Sequence, residues 1–190
     1  MNAVTEITKA NVVNGINVDE LMKVVEAVSA DPANAATSWR VSTQWQGQTH
    51  SRSQVSGFDL AGQHIERPFT IDIDEPCELL GTNRHANPQE HLIAALNACM
   101  TVGYVAQCAI RGIVLESLEI ETTGDIDLRG FLGIDPSVPN GYDSLSYTVR
   151  IKGDASAAQF EEVHAAVMAT SPNYYNIANP IALKPALVVE

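Results

Sequence analysis

The sequence predicts an α+β fold, and three observations predict it. Several stretches alternate apolar and polar residues with the two-residue period of a strand. One run, Leu92 to Ile110, is 19 residues long and mostly apolar. The strand-like and helix-like stretches do not alternate one for one, as a parallel α/β fold would require.

Taken in order, residues 17–30 place Leu21, Val24, Val25 and Val28 at helical spacing. Asn17 or Asp19 can cap that helix, and Asp31-Pro32 stops it, because the residue before proline avoids the helical region. Residues 38–46 put Trp39, Val41, Thr43 and Trp45 on one strand face, and Gly47-Gln48 offers a turn into a second strand over 49–55. A third alternating run covers 69–74, followed by a polar loop that includes residues 81–85. Asn87, Pro88 and Glu90 then open a long helix: an N-cap, a proline where no N–H is needed, and an acid placed to complete a capping box. Gly112 marks its end. Residues 114–127 read as a strand with a bulge, 129–141 as an irregular loop, and 145–151 as another strand. Ser156 and Gln159 form a second capping-box pattern ahead of a helix with Phe160, Val163, Val167 and Met168 inward. Ser171-Pro172 ends that helix, and residues 186–189 read as a short closing strand.

Composition narrows the function. Apolar residues make up 45 % and charged residues 18 % of the 190, a globular balance that argues against wholesale disorder. The formal net charge of −12 disfavours nucleic acid and anionic membrane surfaces as partners, since both reward a basic surface. Residues 1–13 lack the basic start and apolar core of a secretory signal. The three cysteines, at 77, 99 and 108, form no even disulfide framework, so a reducing cytoplasm is the expected location. The apolar run from Leu92 is long enough to test as a membrane span, which needs about 20 residues. Asn97, Thr101 and Gln107 interrupt it, so it is expected to be a helix buried on most sides within a soluble fold. Two domains are expected: an N-terminal helical appendage over 1–36 and the main domain over 37–190.

Residues 68–99 read PFTIDIDEPCELLGTNRHANPQEHLIAALNAC. The Asn87-Pro88 start, Glu90, the apolar run from Leu92 to Leu96, and Cys99 about three turns into the helix resemble the osmotically inducible protein C and organic-hydroperoxide-resistance (OsmC/Ohr) family. The preceding IDIDEP resembles the strand end of one branch, and the order of elements is similar across roughly residues 38–189. Two positions depart from the family pattern. Typical members carry a Cys-Pro pair at the end of the second helix, where this chain has Ser171-Pro172, and a Glu directly after Asn-Pro, where it has Gln89.

The resemblance implies a strongly curved, mainly antiparallel sheet packed on a long buried central helix and a second helix. It also implies an intertwined homodimer with its active sites at the subunit interface. The implied activity is thiol-dependent reduction of organic hydroperoxides in oxidative-stress defence: a peroxiredoxin-like oxidoreductase with one reactive cysteine, served by an external thiol reductant. Cys99 is the implied nucleophile, with Glu90 and Arg52 beside it in catalysis, and Arg84 and Tyr174 facing the substrate; Arg52 and Arg84 both stand as candidates for the guanidinium that holds the thiolate.

The alternative is a non-catalytic, stress-related protein that binds a small apolar ligand and has lost turnover with its second cysteine. A third reading makes Cys99 a core residue. Cys108 stands nine residues after Cys99. That is half a revolution around the helix and about 13 Å along it. A disulfide needs Cα atoms within about 7 Å, so Cys108 is expected to be core and only Cys77 or an external thiol could regenerate Cys99. His85 and His91 flank the helix start, but no zinc-site or phosphate-loop spacing occurs, so neither a metal nor a cofactor is expected.

Overall fold

A computed structural model describes residues 11–189 of the chain, which divides into two compact units within one helix, the first ending at Leu92 and the second starting at Ile93. Residues 1–10, on which most of the signal-segment expectation rests, lie outside the described range.

The first unit opens with a hairpin that the sequence pattern does not announce. Strands β1 (Val12–Val13) and β2 (Ile16–Asn17) pair antiparallel, and Asn14 and Gly15 between them sit at φ 52° and 80°. An Asn-Gly turn in the left-handed region matches the natural twist of two strands. Helix α1 (Val18–Ala30) follows, with Asn17 Oδ1 accepting from Glu20 N–H at 3.2 Å, and it stops at Asp31 as the Asp-Pro pair predicts.

Strands β3 (Thr37–Trp39), β4 (Ser42–Gly47), β5 (His50–Leu60) and β6 (Gln63–Ile73) form an antiparallel sheet. β6 runs along one edge of β5. The other edge is shared: β4 pairs with the first half of β5 and β3 with the second. The strand expected over 38–46 is therefore two strands, interrupted at Arg40-Val41. β5 carries a bulge between Val55 and Gly57, and the bend it introduces accounts for the change of partner on the opposite edge.

After β6 the chain reverses around Asp74. Its buried carboxylate accepts from Thr49 Oγ1 at 2.7 Å, from Thr82 N–H at 2.9 Å and from the Thr82 hydroxyl. These bonds, Thr82 foremost, hold its carboxyl well below the usual carboxylate range. Gly81 closes the reversal because a Cβ there would stand 1.7 Å from the Glu75 carbonyl oxygen.

Helix α2 (Pro88–Ile110) begins with the expected reciprocal cap: Glu90 N–H donates to Asn87 Oδ1 at 2.8 Å, and Asn87 N–H donates to Glu90 Oε2 at 2.7 Å. By length and composition α2 could cross a membrane.

In the second unit α2 is the core helix. Leu96, Met100, Tyr104 and Cys108 recur every fourth residue as one buried stripe, joined by Ile113, Val163 and Val167. The stripe is narrower than the composition suggests, since Val102 on the same helix is 69 % exposed. Strands β7 (Leu115–Thr123) and β8 (Ser146–Gly153) pair antiparallel with the expected bulge, here between Leu115 and Ser117, and Leu118, Ile120, Val149 and Ile151 pack on the stripe. Met100 is 1 % exposed. Met100→Ala is expected to destabilise the protein by about 2–5 kcal/mol, through lost burial and an unfilled cavity, as measured by urea unfolding.

Three segments differ from the sequence expectation. The loop at 129–141 contains a single helical turn, α3 (Leu128–Phe131), capped by Asp127. Helix α4 (Ala157–Thr170), which has the predicted Ser156–Gln159 box, does end at Ser171, but the same residue opens another helix, α5 (Pro172–Ala178). The closing strand at 186–189 does not form: residues 180–189 have no regular structure, and Leu187, Val188 and Val189 stay exposed without a ladder to join.

Candidate active site

Cys99 lies in the middle of α2, half-buried, one residue before core Met100. The junction of α4 and α5 comes to it. Ser171 is buried, and its hydroxyl donates to Cys99 Sγ at 3.3 Å. The direction of that bond is set locally. As the N-cap of α5, Ser171 Oγ accepts the Tyr174 N–H at 3.4 Å, which leaves its own proton for the sulfur. A second bond closes the same junction, from Asn173 Nδ2 to the Ala95 carbonyl at 2.8 Å. The first, Ser171–Cys99, joins residues 72 apart in sequence, so no local pattern announces it.

Tyr174 joins this junction to a neighbouring group of rings. Its ring meets Tyr147 edge-on at 6.4 Å, and Tyr147 in turn lies beside His164. His164 Nδ1 hydrogen-bonds the hydroxyl of fully buried Tyr104, whose burial pushes the phenol up to about 12, so it stays neutral. Tyr104, Tyr147, Val149, Phe160 and His164 line a cleft of about 730 Å³ with an apolar majority. Tyr104 and His164 are not among the candidates that the sequence offers, because a lone tyrosine on a core stripe and a lone histidine on a helix carry no spacing signal.

The three cysteines are free and separate in character. Cys77 is exposed, Cys99 half-buried and Cys108 buried. Burial pushes the Cys108 thiol up from its ordinary value, more than Arg111 lowers it, which fits the core role expected of it.

The remaining expected residues belong to the first unit. Glu90 completes the α2 cap. Arg52 Nε donates to Asp72 Oδ1 at 2.9 Å, across β5 and β6. Arg84 lines a cleft with Gln48, His50, Thr82 and His85. Within the second unit each arginine is engaged away from Cys99: Arg111 with Gln107, Arg129 with Asp127, and Arg150 with Glu119 and Glu121. The thiol's neighbour in its own unit is therefore a hydroxyl donor and not a guanidinium.

Solved structures share this fold at low identity. An OsmC-like protein from Mycoplasma pneumoniae superposes with a TM-score of 0.58 at 15% identity, over 75% of this chain and 88% of that one. An OsmC-like protein of unknown function from Vibrio cholerae gives 0.52 at 13% identity, over 72% and 91%. No curated protein sequence matches the chain. The profile of the OsmC-like proteins matches residues 81–185, more than half of the chain and every residue around Cys99 described above. The chain belongs to the OsmC-like protein family.

Proposed function

We propose that the protein reduces organic hydroperoxides through Cys99 and is returned to its starting state by an external thiol, a cytoplasmic role in oxidative-stress defence. The observation that carries the proposal is the Ser171–Cys99 hydrogen bond inside a family domain. A hydroxyl donating to the sulfur fixes the position of the nucleophile and leaves sulfur lone pairs free to attack. In the proposed reaction the thiolate attacks one peroxide oxygen and the O–O bond breaks. Its electron pair leaves on the alkoxide, which takes a proton to become the alcohol, and Cys99 becomes a sulfenic acid. An external thiol then displaces water from that sulfur, and a second thiol releases Cys99 from the mixed disulfide.

The other roles follow as parts of the same proposal. Tyr174 fronts the substrate, and the apolar cleft beside Tyr147 accommodates an alkyl group. Arg52 or Arg84 supplies positive charge, with Glu90 as its orienting acid, in a homodimer built from the family domain at 37–190 with 1–36 as an appendage. The exposed Trp39, Trp45, Phe69 and Val102 side chains support a dimer, because so much apolar surface is rarely left to water. The test is intact-protein mass spectrometry after one equivalent of an alkyl hydroperoxide. One added oxygen on Cys99, with the alcohol released, is the expected result. Unmodified Cys99 with the hydroperoxide bound intact would favour the ligand-binding reading.

A further inference from the structure

Away from Cys99, three side chains of the first unit converge without a role in the proposed chemistry. His50 opens β5, Asp72 sits near the end of β6, and His85 lies in the loop before α2. One donor atom from each lies within 4.8 Å of the other two. His50 Nε2 is 2.8 Å from Asp72 Oδ1, and the His50 and His85 rings stack with centroids 5.2 Å apart.

We propose that His50, Asp72 and His85 bind a divalent transition-metal ion, with zinc the ion their ligand set fits. Two imidazoles and one carboxylate leave a fourth, water-filled position on a tetrahedral ion, the pattern of an open zinc site. Bonds of about 2.0–2.1 Å place tetrahedral ligands about 3.4 Å apart, so rotations of the side chains by roughly 1 Å suffice to close the set. The backbone around them is already fixed. Asp74 ties Thr49, next to His50, to Thr82 in the loop carrying His85, and its own N–H bonds the Ala86 carbonyl at 3.3 Å. Both histidine-bearing segments are thus held by one buried carboxylate before any ion arrives.

Two cations share the neighbourhood. Arg52 donates to Asp72 Oδ1, and Arg84 lines the cleft of about 360 Å³ that opens beside His50 and His85. A carboxylate offers about four lone-pair positions, so Arg52 can orient Asp72 while the metal takes another of them. The nearby guanidinium charges weaken the site, and micromolar affinity is the expectation rather than the tighter binding of a buried structural zinc. An ion here would tie the β5–β6 sheet to the loop that leads into α2 and would stabilise the first unit by mass action.

The test uses the full chain, freed of metal by chelator dialysis and titrated with Zn²⁺ by calorimetry, with Co²⁺ as the spectroscopic probe. One equivalent should bind, and excess Zn²⁺ should raise the melting temperature. The His85→Ala variant, altered at an exposed loop residue, should lose at least about tenfold in affinity together with that thermal shift. Cys77→Ser should bind as the parent does, and the Co²⁺ spectrum should lack a thiolate charge-transfer band. Absence of binding, binding unchanged in His85→Ala, or binding lost in Cys77→Ser would each overturn the proposal.

Discussion

Cys99→Ser is expected to abolish thiol-dependent consumption of an alkyl hydroperoxide, a loss on the order of a thousandfold or more that ends at the uncatalysed background. Serine at this position keeps the size and the hydrogen bond with Ser171 but removes the nucleophile. An alkoxide is out of reach near neutral pH, whereas a thiolate is accessible. The fold should survive: the position is half-buried beside a polar partner, and the core stripe at Leu96, Met100 and Tyr104 is untouched. Coupled oxidation of an added dithiol, followed by its absorbance, gives the rate. Cys77→Ser serves as the control expected to keep the parent rate, because Cys77 is a free, exposed cysteine and the proposed reductant is an external thiol. Peroxide consumption that persists in Cys99→Ser would remove the enzymatic reading and leave the apolar cleft as a ligand site.

How much of this is legible in the sequence depends on how far apart the decisive residues stand. The start of α2 is readable because Asn87, Pro88 and Glu90 settle it among themselves. The bulge in β7 is readable because a slip in alternation is a local event. The Asn14-Gly15 hairpin escapes notice although its signal is equally local, since strands of two residues leave no alternation to detect. At Ser171-Pro172 a single pair carries two meanings. It ends α4, as expected, and as N-cap and first-turn proline it also begins α5. Strand lengths are underread beyond the expected 49–55 and before 69, where Gly57 and Pro68 look like strand breakers although β5 and β6 stay paired from Gly57–Glu66 to Leu60–Gln63.

The candidate site divides in the same way. Cys99 stands out through the resemblance of its helix, from Asn87-Pro88 to Leu96, to the family pattern, since a cysteine on an apolar helix is by itself a core residue. Its partner does not, because in the sequence Ser171 signals only the absence of a second cysteine, and a contact across 72 residues exists only after α4 packs on α2. His50, Asp72 and His85 are likewise too far apart for any ligand-spacing motif. They meet because β5 and β6 pair and because Asp74 draws the following loop back.

Ser171→Cys follows from the same contact and is expected to change both stability and chemistry. With Ser171 Oγ 3.3 Å from Cys99 Sγ, a sulfur at 171 stands within the small adjustment a disulfide requires. A bridge across 72 residues removes about 4 kcal/mol of chain entropy from the unfolded state. Loss of the Ser171 cap on α5 returns about 1 kcal/mol. The net gain of about 3 kcal/mol corresponds to a rise of roughly 6–12 °C in melting temperature that a reductant reverses. The chemical consequence is sharper. In the parent protein one equivalent of hydroperoxide should leave a sulfenic acid at Cys99 that a dimedone probe captures. In Ser171→Cys the new thiol attacks that sulfenic acid, releases water and forms the 99–171 disulfide, so the probe finds nothing and two thiols are lost together. Continued capture by dimedone in the variant, with no disulfide in the peptide map, would mean that the α4–α5 junction does not hold position 171 against Cys99 in solution.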